Sequence, residues 1–125
     1  MIEQHIKYRI QRAKETYADA IFLFEKGSWN SSINRLYYSV FYVSIALLLH
    51  YGMEVKSHKG VKRKIGELVV SGKIKRDHAK IFGLLSDFRN KGDYDDLFDF
   101  NKEMVARLIE PVNEFITEIE KLIFT

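Results

Sequence analysis

Apolar residues recur every three or four positions along most of the chain, which is the period of an amphipathic helix. This pattern predicts five helices, at about residues 3–26, 30–51, 58–71, 76–90 and 102–123. Alternation of apolar and polar residues never lasts long enough to predict a strand. The connections between the helices are short, so we expect an all-α, up-and-down helical bundle of about five helices.

Local signals mark the ends of these helices. Ser57 and Asn101 are predicted N-caps of the third and fifth helices, and Ser28 or Asn30 can cap the second. Glycines are expected to end the first four helices, at positions Gly27, Gly52, Gly72 and Gly92. Pro111 lies inside the fifth helix and is expected to kink it, because it removes a hydrogen bond to the carbonyl of Arg107.

The second helix is apolar nearly all round, which predicts that it lies at the centre of the bundle. Residues 36–53 carry no formal charge, and their number is close to the roughly 20 that a membrane span requires. Tyrosines, serines and a histidine interrupt this segment, however, and charged helices surround it. We therefore predict a buried core helix and no membrane partner.

The composition fits one folded domain spanning residues 1–125. Apolar residues make up 46% of the chain and charged residues 30%, which is enough for both a core and solubility. The chain has no cysteine, which excludes disulfides, thiolate metal sites and a cysteine nucleophile. With no secretory signal at the start, this composition predicts a cytoplasmic protein.

Charge is unevenly distributed along the chain. Residues 56–76 contain eight basic residues against one glutamate, whereas acidic residues outnumber basic ones six to three in residues 77–100. A basic stripe of this kind suggests an RNA or nucleotide partner, with these candidate contacts: Lys59, Lys62, Arg63 and Lys64. The alternative is an ordinary solvated helix face.

Metal and cofactor chemistry is not indicated. The four histidines are His5, His50, His58 and His78, and none of them pairs with another ligand at helical spacing. No glycine-rich phosphate loop is present either, so we expect no metal and no cofactor. His58 and His78 flank the basic stripe and could meet a phosphate, although solvated or capping histidines are the commoner case.

The segment from Phe88 to Tyr94 carries the strongest chemical signal. Arg89 offers a forked cation and Asn90 an amide, which together can bind one anionic group. We expect Gly92 to let the backbone turn sharply, so that Tyr94 returns towards Arg89. The alternative is a helix C-terminus, where basic side chains favour the helix dipole.

Three short motifs, taken in order, resemble a compact prokaryotic branch of the HEPN family of small helical domains. They are Asn34-Arg35-Leu36-Tyr37-Tyr38-Ser39-Val40-Phe41, Ser57-His58-Lys59-Gly60-Val61 and Arg89-Asn90-Lys91-Gly92-Asp93-Tyr94. The resemblance covers nearly the whole chain. It implies a helical bundle that forms a homodimer, with the fourth-helix segments of two subunits on one cleft.

Catalytic members of this family carry an Arg-Asn-x-x-x-His signature and act as metal-independent ribonucleases. The resemblance therefore implies catalytic roles for Arg89 and Asn90, with Tyr94 at the position of the histidine. A phenol with a pKa of about 10 is a poor base at neutral pH, unlike an imidazole with a pKa near 6.5. The signature is degenerate in this chain.

Four hypotheses follow. The favoured one is a partner or regulatory module of a minimal nucleotidyltransferase, of toxin–antitoxin or defence type, as the resemblance implies. The second is an active ribonuclease in which Tyr94, His58 or His78 supplies the missing base. The third is RNA or nucleotide binding without cleavage, through Arg89 and the basic stripe. The last is a plain structural or oligomerisation domain.

Overall fold

The computed structural model describes residues 1–94 and 98–125, apart from the side chains of Asp93 and Tyr94. Five α-helices follow one another in this part of the chain, and it contains no strand. Their bounds are α1 Ile2–Lys26, α2 Trp29–His50, α3 His58–Val70, α4 Arg76–Tyr94 and α5 Lys102–Phe124. The predicted all-α bundle of five helices is confirmed.

Helix α2 forms the centre of the bundle, because it packs against each of the other four helices. It contributes thirteen buried residues. Two of them are serines whose hydroxyls donate to backbone carbonyls, Ser32 to Ala20 at 2.8 Å and Ser39 to Leu36 at 2.7 Å. The helix is long and apolar enough to cross a membrane, but 72% of its most apolar window is buried inside the protein. Such burial is typical of a core helix.

Helices α1 and α5 cover α2 with faces whose buried residues recur every three or four positions. Val105, Leu108, Val112, Phe115 and Ile119 of α5 are all buried. The predicted cap of α5 is confirmed, since the Asn101 side chain accepts a hydrogen bond from the Met104 amide at 2.9 Å. The helix continues through Pro111, and the kink expected there stays a prediction.

Helix α4 is longer than the sequence pattern predicted. The expected end at Asn90, with a sharp turn at Gly92, was wrong, because α4 continues to Tyr94 and Gly92 lies inside it. A Cβ atom at Gly92 would lie only 3.1 Å from Cε2 of Phe100. The glycine therefore allows the Phe100 ring to pack close to α4, and it does not end the helix. Residues 95–97, also predicted to be loop, lie outside the described residues.

The apolar period predicts that Ile81, Leu84, Leu85 and Phe88 form the buried face of α4, and the observed face differs from it. Ile81 and Leu85 are buried as expected, but Leu84 is 43% exposed, whereas Phe82 is 2% exposed. The reason is that α4 packs against three helices, α2, α3 and α5. Phe82 packs edge-on against Tyr37 of α2, while Leu84 lines a groove between α4 and α5.

Candidate functional site

The second family-like motif is a helix start that fixes the position of His58. The Ser57 side chain caps α3 by accepting a hydrogen bond from the Gly60 amide at 3.0 Å, as predicted. A Cβ atom at Gly60 would lie 2.7 Å from both Ser57 Oγ and Val55 Cγ1. Only glycine fits this close approach, so Ser57 and Gly60 together hold His58 as the first residue of α3.

His58 rests on aromatic side chains of α2. Its ring stacks on Phe41, with 4.3 Å between the ring centroids. Its Nδ1 atom lies 2.6 Å from the hydroxyl oxygen of Tyr37, which is a hydrogen-bonding distance. Tyr37 is itself only 2% exposed. These two contacts fix both the position and the plane of the imidazole.

Arg89 reaches the same aromatic cluster from α4. Its guanidinium carbon lies 5.0 Å from the centre of the Tyr37 ring and 5.9 Å from that of the Tyr38 ring, within cation–π range. Phe82, two helical turns earlier on α4, packs against Tyr37 as well. The three motifs are far apart in sequence, yet Tyr37, His58 and Arg89 form one site at the junction of α2, α3 and α4.

The surroundings shift the pKa values of two of these groups. Burial lowers the pKa of His58 below its usual 6.5, and the positive charge of Arg89 lowers it further. Burial raises the pKa of Tyr37 above 10, although Arg89 opposes this shift. At neutral pH the site therefore holds a neutral imidazole, a neutral phenol and a guanidinium cation.

Either partner can donate the hydrogen bond between Tyr37 and His58, since the roles depend on the tautomer of the imidazole. If the phenol donates to Nδ1, then Nε2 carries the proton and can donate to an anion. If Nδ1–H donates to the phenol oxygen, the lone pair of Nε2 is available to accept a proton. A neutral imidazole can thus bind an anion or act as a base.

A cleft of about 230 Å³ opens beside Arg89, between the starts of α2 and α5 and the end of α4. Asn30 shapes one wall, because its side chain accepts from the Phe100 amide at 2.8 Å and donates to Asp99 at 3.0 Å. Asn34 lies on another wall and accepts two hydrogen bonds from the guanidinium of Arg35, at 2.7 and 3.1 Å. The cleft therefore has fixed polar walls next to a cation.

The other two predicted catalytic residues are Asn90 and Tyr94, and of these two the structure describes only the side chain of Asn90. Asn90 is exposed. It follows Arg89 directly in a helix, so the two side chains diverge by about 100° around the helix axis. Tyr94 is the last residue of α4, and the structure describes its backbone but not its side chain.

The basic residues predicted on α3 are mostly exposed and partly ion-paired. Lys59, Lys62 and Arg63 are exposed, and Lys64 is half-buried. Arg63 and Lys64 both approach Glu67, at 3.8 and 3.3 Å. Lys62 borders a separate groove between α3 and α4 instead of the Arg89 cleft. The described residues contain no group of three or more acidic or histidine side chains that could hold a metal ion.

The sequence pattern did not single out Tyr37 as a site residue, and it left His58 among the histidines that are more often solvated. The only signal for both was their place in two short motifs. That signal carried no information about distance, because Tyr37 and His58 are 21 residues apart.

Comparison with known proteins identifies the family of the chain. The family model described as "HEPN domain" matches residues 6–122. A "UPF0332 protein" from Thermotoga maritima is 36% identical over 97% of this chain and 92% of its own length. A "UPF0332 protein" from Pyrococcus horikoshii is 41% identical over 63% of this chain and 54% of its own length. A protein from Methanocaldococcus jannaschii named "putative toxin" is 32% identical over 74% of this chain and 70% of its own length. This chain therefore belongs to the HEPN domain family.

Proposed function

We propose that this chain is a toxin-type HEPN protein that cleaves RNA without a metal ion, using Arg89 and His58. The observation that carries the proposal is the contact of both side chains with Tyr37, which brings a cation and a neutral imidazole together at the junction of α2, α3 and α4. The name "putative toxin", borne by two relatives, supports a toxin role. A ribonuclease is favoured over a purely binding module, because the neutral imidazole of His58 is a better base than the phenol of Tyr94.

In this mechanism the ribose 2′-oxygen attacks the adjacent phosphorus, and its proton passes to Nε2 of His58. The new bond between O2′ and phosphorus forms as the bond to O5′ breaks. The imidazolium returns the proton to the departing O5′ atom. The products are a 2′,3′-cyclic phosphate and a 5′-hydroxyl, with no change in oxidation state. Arg89 stabilises the negative charge that accumulates on the phosphate oxygens.

Tyr37 is a positioning residue in this scheme. The base tautomer of His58 needs Nδ1–H to donate to an acceptor, and the phenol oxygen of Tyr37 is the atom at 2.6 Å. Asn90 and Tyr94 remain candidate contacts to the substrate, at the position that the family signature assigns to them.

The decisive experiment is cleavage of single-stranded RNA in the presence of EDTA. We expect His58→Ala and Arg89→Ala each to reduce kcat by about 10²- to 10⁴-fold, the usual contribution of a general base or an oxyanion donor. Lys62→Ala, an exposed basic residue outside the cleft, is the matched control and should retain activity. Equal cleavage by all three variants would identify a contaminating nuclease and reject the proposal. RNA binding without cleavage would support the non-catalytic alternative.

A second candidate function is a partner module of a minimal nucleotidyltransferase in the cytoplasm. It is favoured by the tyrosine that occupies the histidine position of the family signature, at Tyr94. The same relatives support it, because a toxin is commonly neutralised by a partner. Affinity purification of the chain from its native cells should recover a nucleotidyltransferase. Recovery of the chain by itself, at abundant expression, would argue against this candidate.

We also propose a homodimer, formed through the groove between α4 and α5. The groove measures about 510 Å³, and its apolar lining includes the exposed Leu84. Its charged lining has two acids and two bases, Asp77, Glu114, Lys80 and Arg107. A balanced set of this kind suits a two-fold contact, in which each patch meets its own copy. Leu84→Glu should shift the mass measured by light scattering from dimer to monomer; an unchanged dimer would place the interface elsewhere.

A further inference from the structure

Tyrosine and arginine side chains follow one another along the surface that leads away from His58 and Arg89. Tyr38, which is half-buried, is the first of them. Its ring centroid lies 5.8 Å from that of His58, and the Arg89 guanidinium lies 5.9 Å from it. Arg35, one turn earlier on α2, places its guanidinium 5.2 Å from the same ring. Tyr38 therefore connects the candidate site to a larger surface.

The next tyrosine along this surface is Tyr42, one helical turn after Tyr38 on α2. The centroids of the two rings are 5.8 Å apart. Helix α1 brings two arginines to it, since the guanidinium carbons of Arg9 and Arg12 lie 5.8 and 5.7 Å from its ring. Arg9 also lies 5.8 Å from the ring of Tyr8, which is 57% exposed. The arginine–tyrosine stripe consists of these six residues: Tyr8, Arg9, Arg12, Arg35, Tyr38 and Tyr42.

The stripe carries a net positive charge. Arg12 pairs with Glu15 at 3.2 Å, and this glutamate is the one acidic side chain in a described contact with the stripe. Arg9 donates to Nε2 of His5 at 3.4 Å, and Arg35 donates to the neutral side chain of Asn34. The stripe therefore has three arginines and, among its described contacts, one carboxylate. Arg89 lies where the stripe meets the site.

We propose that the arginine–tyrosine stripe binds the single-stranded RNA that flanks the phosphate held by Arg89 and His58. This inference rests on the proposed function in taking RNA as the ligand. Guanidinium groups bind phosphates, and aromatic rings stack on the bases of single strands, where no complementary strand hides them. An acidic peptide would bind the arginines through its carboxylates, but its acidic side chains would not stack on the tyrosine rings. A second copy, docked face to face, would bring the same positive charge and be repelled.

The test compares two double variants that remove the same charge. Arg9→Gln with Arg12→Gln alters the stripe, and Lys62→Gln with Arg63→Gln alters the exposed face of α3. The probe is a fluorescent octanucleotide of 2′-O-methyl RNA, which binds but cannot be cleaved because its 2′-oxygen is blocked. The readout is fluorescence anisotropy at several salt concentrations, with circular dichroism to verify folding.

We expect the stripe variant to bind the octanucleotide about tenfold more weakly than the wild type. The slope of log affinity against log salt should fall by about 1.4, since each single-strand phosphate contact contributes about 0.7. The α3 variant should bind almost as well as the wild type. Tyr42→Leu should weaken binding about fivefold or more, whereas Tyr42→Phe, which keeps the ring, should not.

Several outcomes would overturn the inference. Equal weakening by the two double variants would indicate non-specific attraction by net charge, and no weakening by the stripe variant would remove the stripe from the binding surface. Equal affinity for duplex RNA would exclude base stacking. Loss of a dimer in the stripe variant would identify the stripe as an interface between copies.

The inference and the proposed function fail separately. Cleavage of a two-nucleotide RNA, which spans only Arg89 and His58, should be the same in the stripe variant and the wild type. Cleavage that persists while octanucleotide binding is unaffected by the stripe variant would reject the stripe alone. Weakened binding without any cleavage in the wild type would reject the ribonuclease proposal and leave the stripe in place.

Discussion

The hydroxyl oxygen of Tyr37 lies 2.6 Å from Nδ1 of His58, and the guanidinium of Arg89 lies 5.0 Å from the centre of the same tyrosine ring. One buried phenol thus holds the imidazole at its edge and the cation over its ring. Its hydroxyl group and its ring have separable roles, and substitutions can remove one without the other.

Tyr37→Phe keeps the ring beneath Arg89 and removes only the hydroxyl that orients His58. We expect kcat for RNA cleavage to fall about tenfold with little change in KM, because the base tautomer of His58 loses its acceptor. Leaving Nδ1 unsatisfied should also reduce the free energy of unfolding by about 1 kcal/mol. The control is Tyr38→Phe on the neighbouring ring. An unchanged kcat in Tyr37→Phe would show that the hydroxyl does not position the histidine.

The lowered pKa of His58 predicts a pH-dependent stability. Below about pH 6.5 this histidine binds a proton in the unfolded chain, whereas in the folded chain it binds one only at lower pH. Acidification therefore destabilises the fold. Above that pH both states hold it neutral, and the effect vanishes. His58→Gln cannot titrate, so between pH 7.5 and 5.5 its melting temperature should fall less than that of the wild type. Parallel curves for the two proteins would mean that the pKa of His58 is the same in both states.

Glycines inside the helices provide a test of the contact between Gly92 and Phe100. Gly83 is also inside α4, and a Cβ atom there would meet nothing within 4 Å. Gly83→Ala should therefore stabilise the protein by about 0.5–1 kcal/mol through helix propensity. Gly92→Ala should gain less or destabilise, because its Cβ atom would lie 3.1 Å from the Phe100 ring. Urea denaturation measures both, and equal gains would contradict the close packing.

The start of α3 gives a graded test of how His58 is held. Ser57→Ala removes the cap and should cost about 1 kcal/mol of unfolding free energy. Gly60→Ala should cost more than that, because its Cβ atom would lie 2.7 Å from Ser57 Oγ and Val55 Cγ1 and force the turn to open. The imidazole resonances of His58 in NMR spectra should shift in Gly60→Ala. Resonances that match the wild type would show that the turn absorbs the methyl group.

The sequence by itself determined the helices, because helix periodicity and capping depend on residues within a few positions of one another. Ser57 and Asn101 cap the helices that they were predicted to cap, and the apolar segment around Val40 is the buried centre of the bundle. Local signals were misleading where a distant residue decides. Gly92 resembles a helix stop in sequence, but it lies inside α4, and the close packing of the Phe100 ring explains why a glycine stands there.

Only the tertiary structure decided which side chains form the site. Tyr37, His58 and Arg89 lie on three helices, and their meeting depends on how α3 and α4 rotate against α2. That rotation depends on the packing of buried residues such as Phe82, which the helical period did not distinguish from Leu84. The arginine–tyrosine stripe has the same origin, since Arg9 and Arg12 reach Tyr42 only because α1 packs against α2. Sequence fixes short-range order, whereas long-range packing decides which chemistry that order brings together.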